Sequence, residues 1–254
     1  MTTSTMKHLN NFFKKFIVLL LWLCVWQLAA TVVNQEILIP TPLSTLKALF
    51  TISVNPEFYI AVFVSLLRII IGYTLGIIVG VLGALLCYKF KLFDEFISPI
   101  LNIVRAVPVA SFIILALVWF HSSNLPIFIA FMMVLPMILS CVKDGLYNID
   151  KKYIELSKVY RLSSIKAFFH IRLPFIMPSF ISTSLTALGF AWKSGIAAEV
   201  ICRPDHSLGD MLQEAKIYIS TPDVFAITAV VALLSVFLEQ IIKYVVRRYT
   251  NVKY

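Results

Sequence analysis

Six long apolar runs, separated by short segments that carry most of the charge, dominate this chain. A helix needs about 20 mostly apolar residues to cross a bilayer. The runs cover about Phe16–Val33, Tyr59–Tyr88, Pro99–Phe120, Leu125–Val142, Phe175–Gly195 and Phe225–Val246. Apolar residues make up 60% of the sequence, against roughly 45–50% in an average protein. A soluble body of 254 residues could not bury that much apolar surface. The same composition excludes disorder, a collagen-like chain and a disulfide scaffold. The expected class is an all-α integral membrane protein with six transmembrane helices. Only His121–Asn124 separates the third and fourth runs, which implies a tight hairpin.

The first run has a second reading. Lys7, Lys14 and Lys15 precede an apolar stretch ending near Leu28-Ala29-Ala30, as in a cleaved signal peptide. Cleavage would leave five spans and still a membrane protein. The net charge of +9 does not point to nucleic acid, because the basic residues lie in short segments between the runs. With the N-terminus inside, the inner segments hold 16 of the 22 basic residues. These are Lys7, Lys14, Lys15, Lys89, Lys91, Lys143, Lys151, Lys152, Lys158, Arg161, Lys166, Arg172, Lys243, Arg247, Arg248 and Lys253. The outer segments hold Lys47, Arg203 and Lys216. Basic residues stay on the cytoplasmic side, so both termini are expected inside, with an even number of spans.

Gly72, Gly76 and Gly80 recur every four residues in the second run, and Ala84 continues the row. Such a row forms a small-residue groove on one helix face, and helices in lipid associate through such close packing. Its partner is either another span of this chain, the favoured reading, or a second copy. Pro108, Pro136 and Pro178 are expected to kink the third, fourth and fifth spans. Ser179, Ser182, Thr183, Ser184 and Thr186 in the fifth span either bond back to their own helix or line a polar pathway. Residues proposed for that pathway are Ser111, Ser182, Thr186, Trp192 and Lys193.

Charges in a membrane span are functional candidates by default. Arg68 and Arg105 lie near enough to opposite surfaces to snorkel, and none of the three basic residues has an acidic or His partner apparent within the spans. Lys193, beside Trp192 near the outer end of the fifth run, is read either as an interfacial anchor or as a cation that attracts an anionic solute. Cys24, Cys87, Cys141 and Cys202 have no metal-like spacing and read as packing groups. No metal site and no catalytic constellation is expected. The chain lacks a Gly-Lys pair for a phosphate-binding loop, so nucleotide energy would have to enter through another subunit.

The longest inner connection, Lys143–Pro174, is organised. Tyr153–Tyr160 reads as a short helix. Ser163 and Ser164 offer an N-cap for a second, Ile165–Ile171. Basic and aromatic groups on two short helices suit either a cytoplasmic partner or the anionic inner leaflet.

This segment resembles the cytoplasmic signature of permease subunits of ATP-binding-cassette importers: Glu-Ala-Ala, three residues, Gly, nine residues, Ile, one residue, Leu-Pro. Glu155, Arg161, Ile171 and Leu173-Pro174 keep the spacing, while Leu156 and Ser157 replace the two Ala and Arg161 replaces Gly. Ile39-Pro40-Thr41-Pro42 with Leu43 and Leu46 resembles the start of an outer helix in nitrate, sulfonate and taurine importer permeases. Arg105-Ala106-Val107-Pro108 with Trp119-Phe120 resembles that family's third span, although His121 stands where Gly is usual. Ala191-Trp192-Lys193, Ala198-Glu199-Val200, Ser207-Leu208-Gly209, Thr221–Ala226 and Arg247-Arg248 continue the resemblance in order.

The resemblance implies a type I importer permease fold, with residues 1–254 forming a single transmembrane permease domain and 143–174 the coupling region. Glu155, Leu156, Ser157, Arg161, Leu162, Ser163, Ile165 and Phe168 would then contact an ATPase. It further implies a second permease copy, two cytoplasmic ATPase subunits holding ATP and Mg, an extracytoplasmic binding protein or lipoprotein, and a bacterial cytoplasmic membrane. The chain itself would be no enzyme and bind no cofactor or nucleic acid. The solute would be small and anionic, such as an aliphatic sulfonate, taurine or nitrate, or else a vitamin precursor. A stand-alone secondary transporter, an intramembrane enzyme and a structural subunit are the rivals from other classes; no convincing repeat supports the first.

Overall fold

The computed structural model describes residues 3–150, 152, 153, 155 and 159–250. Every regular element among them is helical: α1 (Thr3–Val33), α2 (Pro42–Val54), α3 (Pro56–Lys89), α4 (Lys91–Ala106), α5 (Val109–Ala116), α6 (Leu125–Tyr147), α7 (Ser164–Ala167), a π-turn (Phe168–Arg172), α8 (Leu173–Cys202), α9 (Leu208–Ile217) and α10 (Thr221–Thr250). Among the described residues five helices are long and apolar enough to cross a membrane, and six if α4 and α5 together form one broken span. At 34 residues, α3 is about 51 Å long, more than the roughly 30 Å hydrocarbon core requires.

The third apolar run is not one helix. Its two halves, α4 and α5, meet at a bend of 107°. The residue before a proline is driven out of the helical region by the ring, and Val107 is extended at φ −75° and ψ 129°. Pro108 then caps α5 instead of kinking a continuous span. Trp119 and Phe120 fall in the turns between α5 and α6, so the hairpin link is longer than His121–Asn124. The fifth span also differs: α8 runs to Cys202. Lys193 therefore sits about 13 Å short of the helix end, at 1.5 Å per residue.

The helices form two compact units. One holds the chain up to Tyr59 together with Met211–Val231. There Thr41 caps α2 by accepting the Ser44 N–H at 3.1 Å, with Pro42 at the first helical position. The Trp26 indole donates to the Pro40 carbonyl at 3.0 Å and stacks on Phe225, while Thr221 Oγ1 donates to the Ile37 carbonyl. The α1 window Phe16–Val33 is apolar all round and only 6% buried, as suits a helix facing lipid or a partner.

The second unit holds Ile60–Asp210 and the chain from Ala232. Its centre is α6, buried over 50% of its apolar window and packed most extensively on α8. The α6 and α8 helices run antiparallel, because Cys202 Sγ donates to the Ser122 carbonyl at one end and Gly145 meets Ile176 at the other. The α3 helix runs parallel to α6. Added Cβ atoms on Gly72, Gly76 and Gly80 would come within 2.3 Å of the Ile127 carbonyl, 2.6 Å of Val134 Cβ and 3.0 Å of Ile138 Cβ. The glycine row thus lies against another helix of the same chain, and Ala84 below it is fully buried. Without side chains between them the two backbones come into contact.

Candidate functional site: a helix-continuous turn and a buried carboxylate

The Tyr147 end of α6 leads into the segment read as a coupling element. Asn148 caps α6 through its N–H to the Asp144 carbonyl. Asp150 then starts a new helical turn, accepting the Lys152 N–H on Oδ1 and the Tyr153 N–H on its carbonyl, both at 3.0 Å. Lys152, Tyr153, Glu155 and Val159 are helical and exposed. Leu156 and Ser157 lie outside the described residues. The turn closes at Arg161, which takes a left-handed φ of 46° where the signature has Gly.

Ser163 follows as the cap of α7, its Oγ accepting the Lys166 N–H at 3.4 Å. The expected second short helix, Ile165–Ile171, is not separate. It passes through the π-turn directly into α8. Leu173-Pro174 therefore lies inside a continuous helical path, because Pro is accepted in the first turn after the π segment. Arg172 places its guanidinium 5.2 Å from the Tyr88 ring centre, and Tyr88 meets Tyr147 at 5.4 Å. An Arg–aromatic contact thereby seats the base of α8 on α3 and α6. Tyr153, Val159, Tyr160, Leu162, Ile165 and Phe169 are exposed apolar groups on this segment, whereas Phe168 is half-buried and meets Phe169 edge-on. Large exposed apolar groups among charges mark an interaction surface.

Beside it, Lys143 on α6 pairs with Asp94 on α4 at 2.7 Å, and Ser98 donates to the same carboxylate at 3.2 Å. Arg105 on α4, an exposed residue, crosses to α6 and donates to the Pro136 carbonyl at 2.7 Å and to Ser140 Oγ.

Of the residues proposed for the solute pathway, Ser182, Thr186 and Lys193 are exposed and share one face of α8 by helical spacing, and Ser111 is exposed on α5. Thr186 Oγ1 bonds back to the Ser182 carbonyl at 3.1 Å. Trp192 is buried, 1% exposed, and so does not share the exposure of Lys193.

At the Cys202 end lies a polar cluster that spacing alone did not reveal. Glu199 on α8 is fully buried. Its Oε2 accepts from Ser65 Oγ at 2.8 Å and from the Gly209 N–H at 3.2 Å. Ser65 Oγ in turn accepts the Leu208 N–H at 2.9 Å, satisfying a backbone donor at the start of α9. Arg68 stands 4.0 Å from Glu199 and donates to the Asp205 carbonyl at 3.2 Å. The expectation that the basic residues in the spans lack acidic partners fails here, because 131 residues of sequence separate two groups that the fold makes neighbours. A faint signal was available: Ser65 and Arg68 share an α3 face, as Gly195 and Glu199 share an α8 face. Gly195 receives Ile69 from the next turn of that α3 face. Gly209 is required by space, since a Cβ there would lie 2.3 Å from Glu199 Cβ and 2.5 Å from the Val200 nitrogen. Among the described residues no group of His, Cys, Asp and Glu comes together that could hold a metal.

Apolar helices long enough to cross a membrane, a helix-continuous turn at one end of α8 and a buried polar cluster at the other are the features of a multi-pass membrane protein. Residues 72–251 match the family described as binding-protein-dependent transport system inner membrane component, and the chain belongs to that family. It is 29% identical over 213 residues to the putative aliphatic sulfonates transport permease protein SsuC of Escherichia coli (strain K12), across 83% of this chain and 80% of that protein. It is 32% identical over 152 residues to the bicarbonate transport system permease protein CmpB of Synechocystis sp., across 59% of this chain and 54% of that one. In fold it resembles a chain of a solved structure described as an amino acid ABC transporter with histidines. The TM-score is 0.61 at 14% identity, over 80% of this chain and 97% of that one.

Proposed function

We propose that the chain is the translocation subunit of an ATP-driven importer for a small anionic solute, with both termini cytoplasmic and six spans, α4 and α5 forming one broken crossing. The single observation that carries this reading is that α7, with Ile165 exposed on it, runs through the π-turn, with Phe169 exposed, into α8 without a break. Force applied there by a cytoplasmic ATPase would pass along backbone hydrogen bonds into a span. Two copies of the chain would form the pathway. Two ATPases would bind ATP and Mg, and a binding protein would deliver solute at the outer face of a bacterial cytoplasmic membrane. The names of the sulfonate and bicarbonate relatives support an anion.

Glu155 is exposed, and docking would pair it with a basic residue of the ATPase. A carboxylate that loses its partner on docking costs several kcal/mol in strong cases, whereas a solvated charge outside the contact costs about 1 kcal/mol or less. Glu155→Lys is expected to abolish ATPase co-purification or solute-stimulated hydrolysis, while Lys152→Glu changes them less than two-fold, roughly the effect of 0.4 kcal/mol. If this segment instead lay on anionic lipid, the two variants would reverse their effects. For the solute, Lys193→Gln is expected to lower uptake of a sulfonate without altering assembly. Unchanged sulfonate uptake would leave Lys193 as an anchor.

A further inference from the structure

We propose that Arg68 and Glu199 are positioning residues that form a two-position latch on the loop joining α8 to α9. The inference rests on the importer reading above. The loop is Arg203–Ser207, five residues between two helices. Its far end is pinned: Leu208 and Gly209 donate their N–H groups to Ser65 Oγ and Glu199 Oε2, and Gly209 touches the α8 backbone so closely that it cannot slide inward. The middle of the loop is held by Arg68, whose Nη2 donates to the Asp205 carbonyl at 3.2 Å.

Two further observations mark this as one of two arrangements. Arg68 Nη1 and Glu199 Oε1 are both buried, face each other at 4.0 Å and have no hydrogen-bond partner among the described residues. A buried donor and acceptor of opposite charge gain strongly from closing that gap. The loop also carries two left-handed non-glycine residues, Arg203 at φ 48° and His206 at φ 53°. Such strain persists only while surrounding contacts hold it, and it concentrates in segments that switch. Arg68 therefore has two positions. In one its Nη2 holds Asp205 and the loop is down. In the other its guanidinium turns onto Glu199 Oε1, the Asp205 carbonyl is released, and the loop relaxes away from α3. Ser65 and Gly209 keep Glu199 Oε2 in both, so the carboxylate stays in place while the arginine moves.

His206 is exposed on this loop and reports its position. The test uses the full permease–ATPase complex in liposomes, with native cysteines replaced by alanine and His206→Cys introduced. The rate of labelling by an impermeant maleimide is measured without nucleotide and after trapping with ATP and vanadate. The latch predicts at least a three-fold difference between the two states in the parent. Glu199→Gln keeps an acceptor for Ser65 and Gly209 but gives Arg68 no second charge, so labelling should be slow in both states. Arg68→Met releases the loop and should make it fast in both. Equal rates in the parent, or a state dependence that survives in Glu199→Gln, would overturn the latch. If Arg68→Met does not assemble, the Glu199→Gln result decides. ATP hydrolysis by the complex is measured first. Its absence removes the importer reading and the latch together, whereas hydrolysis with unchanging label rates removes the latch alone.

Discussion

At Arg161 an L-residue holds a backbone conformation that Gly adopts freely. The pattern is general in this molecule. Asn34, Arg161, Arg203, His206 and Ile219 have positive φ among the described residues, and no glycine does. Of the eight glycines, seven lie within long helices and Gly209 at the start of α9, and all but Gly189 serve close packing instead. The turns are therefore strained where another protein would use Gly. Each such residue costs about 1 kcal/mol or more. Arg161→Gly should accordingly raise the thermal stability of the purified complex by about 1 kcal/mol and leave uptake intact. Loss of uptake at normal assembly would show that the guanidinium makes an essential contact with the ATPase. The bend at this position was legible from the signature spacing. Whether arginine would reshape it or adopt it was not, because that depends on contacts that pattern does not carry.

Among the elements, the seam between α3 and α6 is the most sharply specified. A methyl group on Gly72 would strike a backbone carbonyl at 2.3 Å, which no side-chain rotation relieves. Overpacking of this kind typically costs 1–3 kcal/mol. Gly72→Ala should lower the stability of the assembled protein by about 2 kcal/mol or more. Gly189→Ala on α8, where an added Cβ meets nothing within 4 Å, should be neutral or stabilising by up to about 1 kcal/mol. Thermal melts of both variants in detergent check the contrast. A four-residue period of small residues was readable in sequence because a helix repeats its face in that way. The break between α4 and α5 was not. Pro108 signalled a distortion, but apolar composition is the same for a kinked span and for two helices at 107°, and only packing chooses between them. The link through the π-turn escaped for a related reason. Capping residues at Ser163 and a proline at 174 announce a helix start twice, and the sequence does not show that the two starts merge.

For the whole molecule, the charge distribution makes the strongest claim. It predicts His121 outside and Lys152 inside, and both side chains are exposed. Single cysteines at these positions, in a background without native cysteines, should label on intact cells at 121 and only after permeabilisation at 152. The opposite result would invert the orientation. The long apolar helices and their order along the chain were legible because each run carries its own hydropathy. The Glu199–Arg68 pair was not, since it depends on which helices become neighbours. The π-turn has one last consequence. An i→i+5 turn holds one residue more than an α-turn, and each residue advances a helix by about 100°. Phe168–Arg172 therefore acts as a one-residue phase shift between α7 and α8. It sets the compass bearing of Ile165 independently of the face that α8 turns toward α6. A chain of this kind could re-aim its exposed segment toward a different ATPase by gaining or losing a single residue there, without altering any position in the spans.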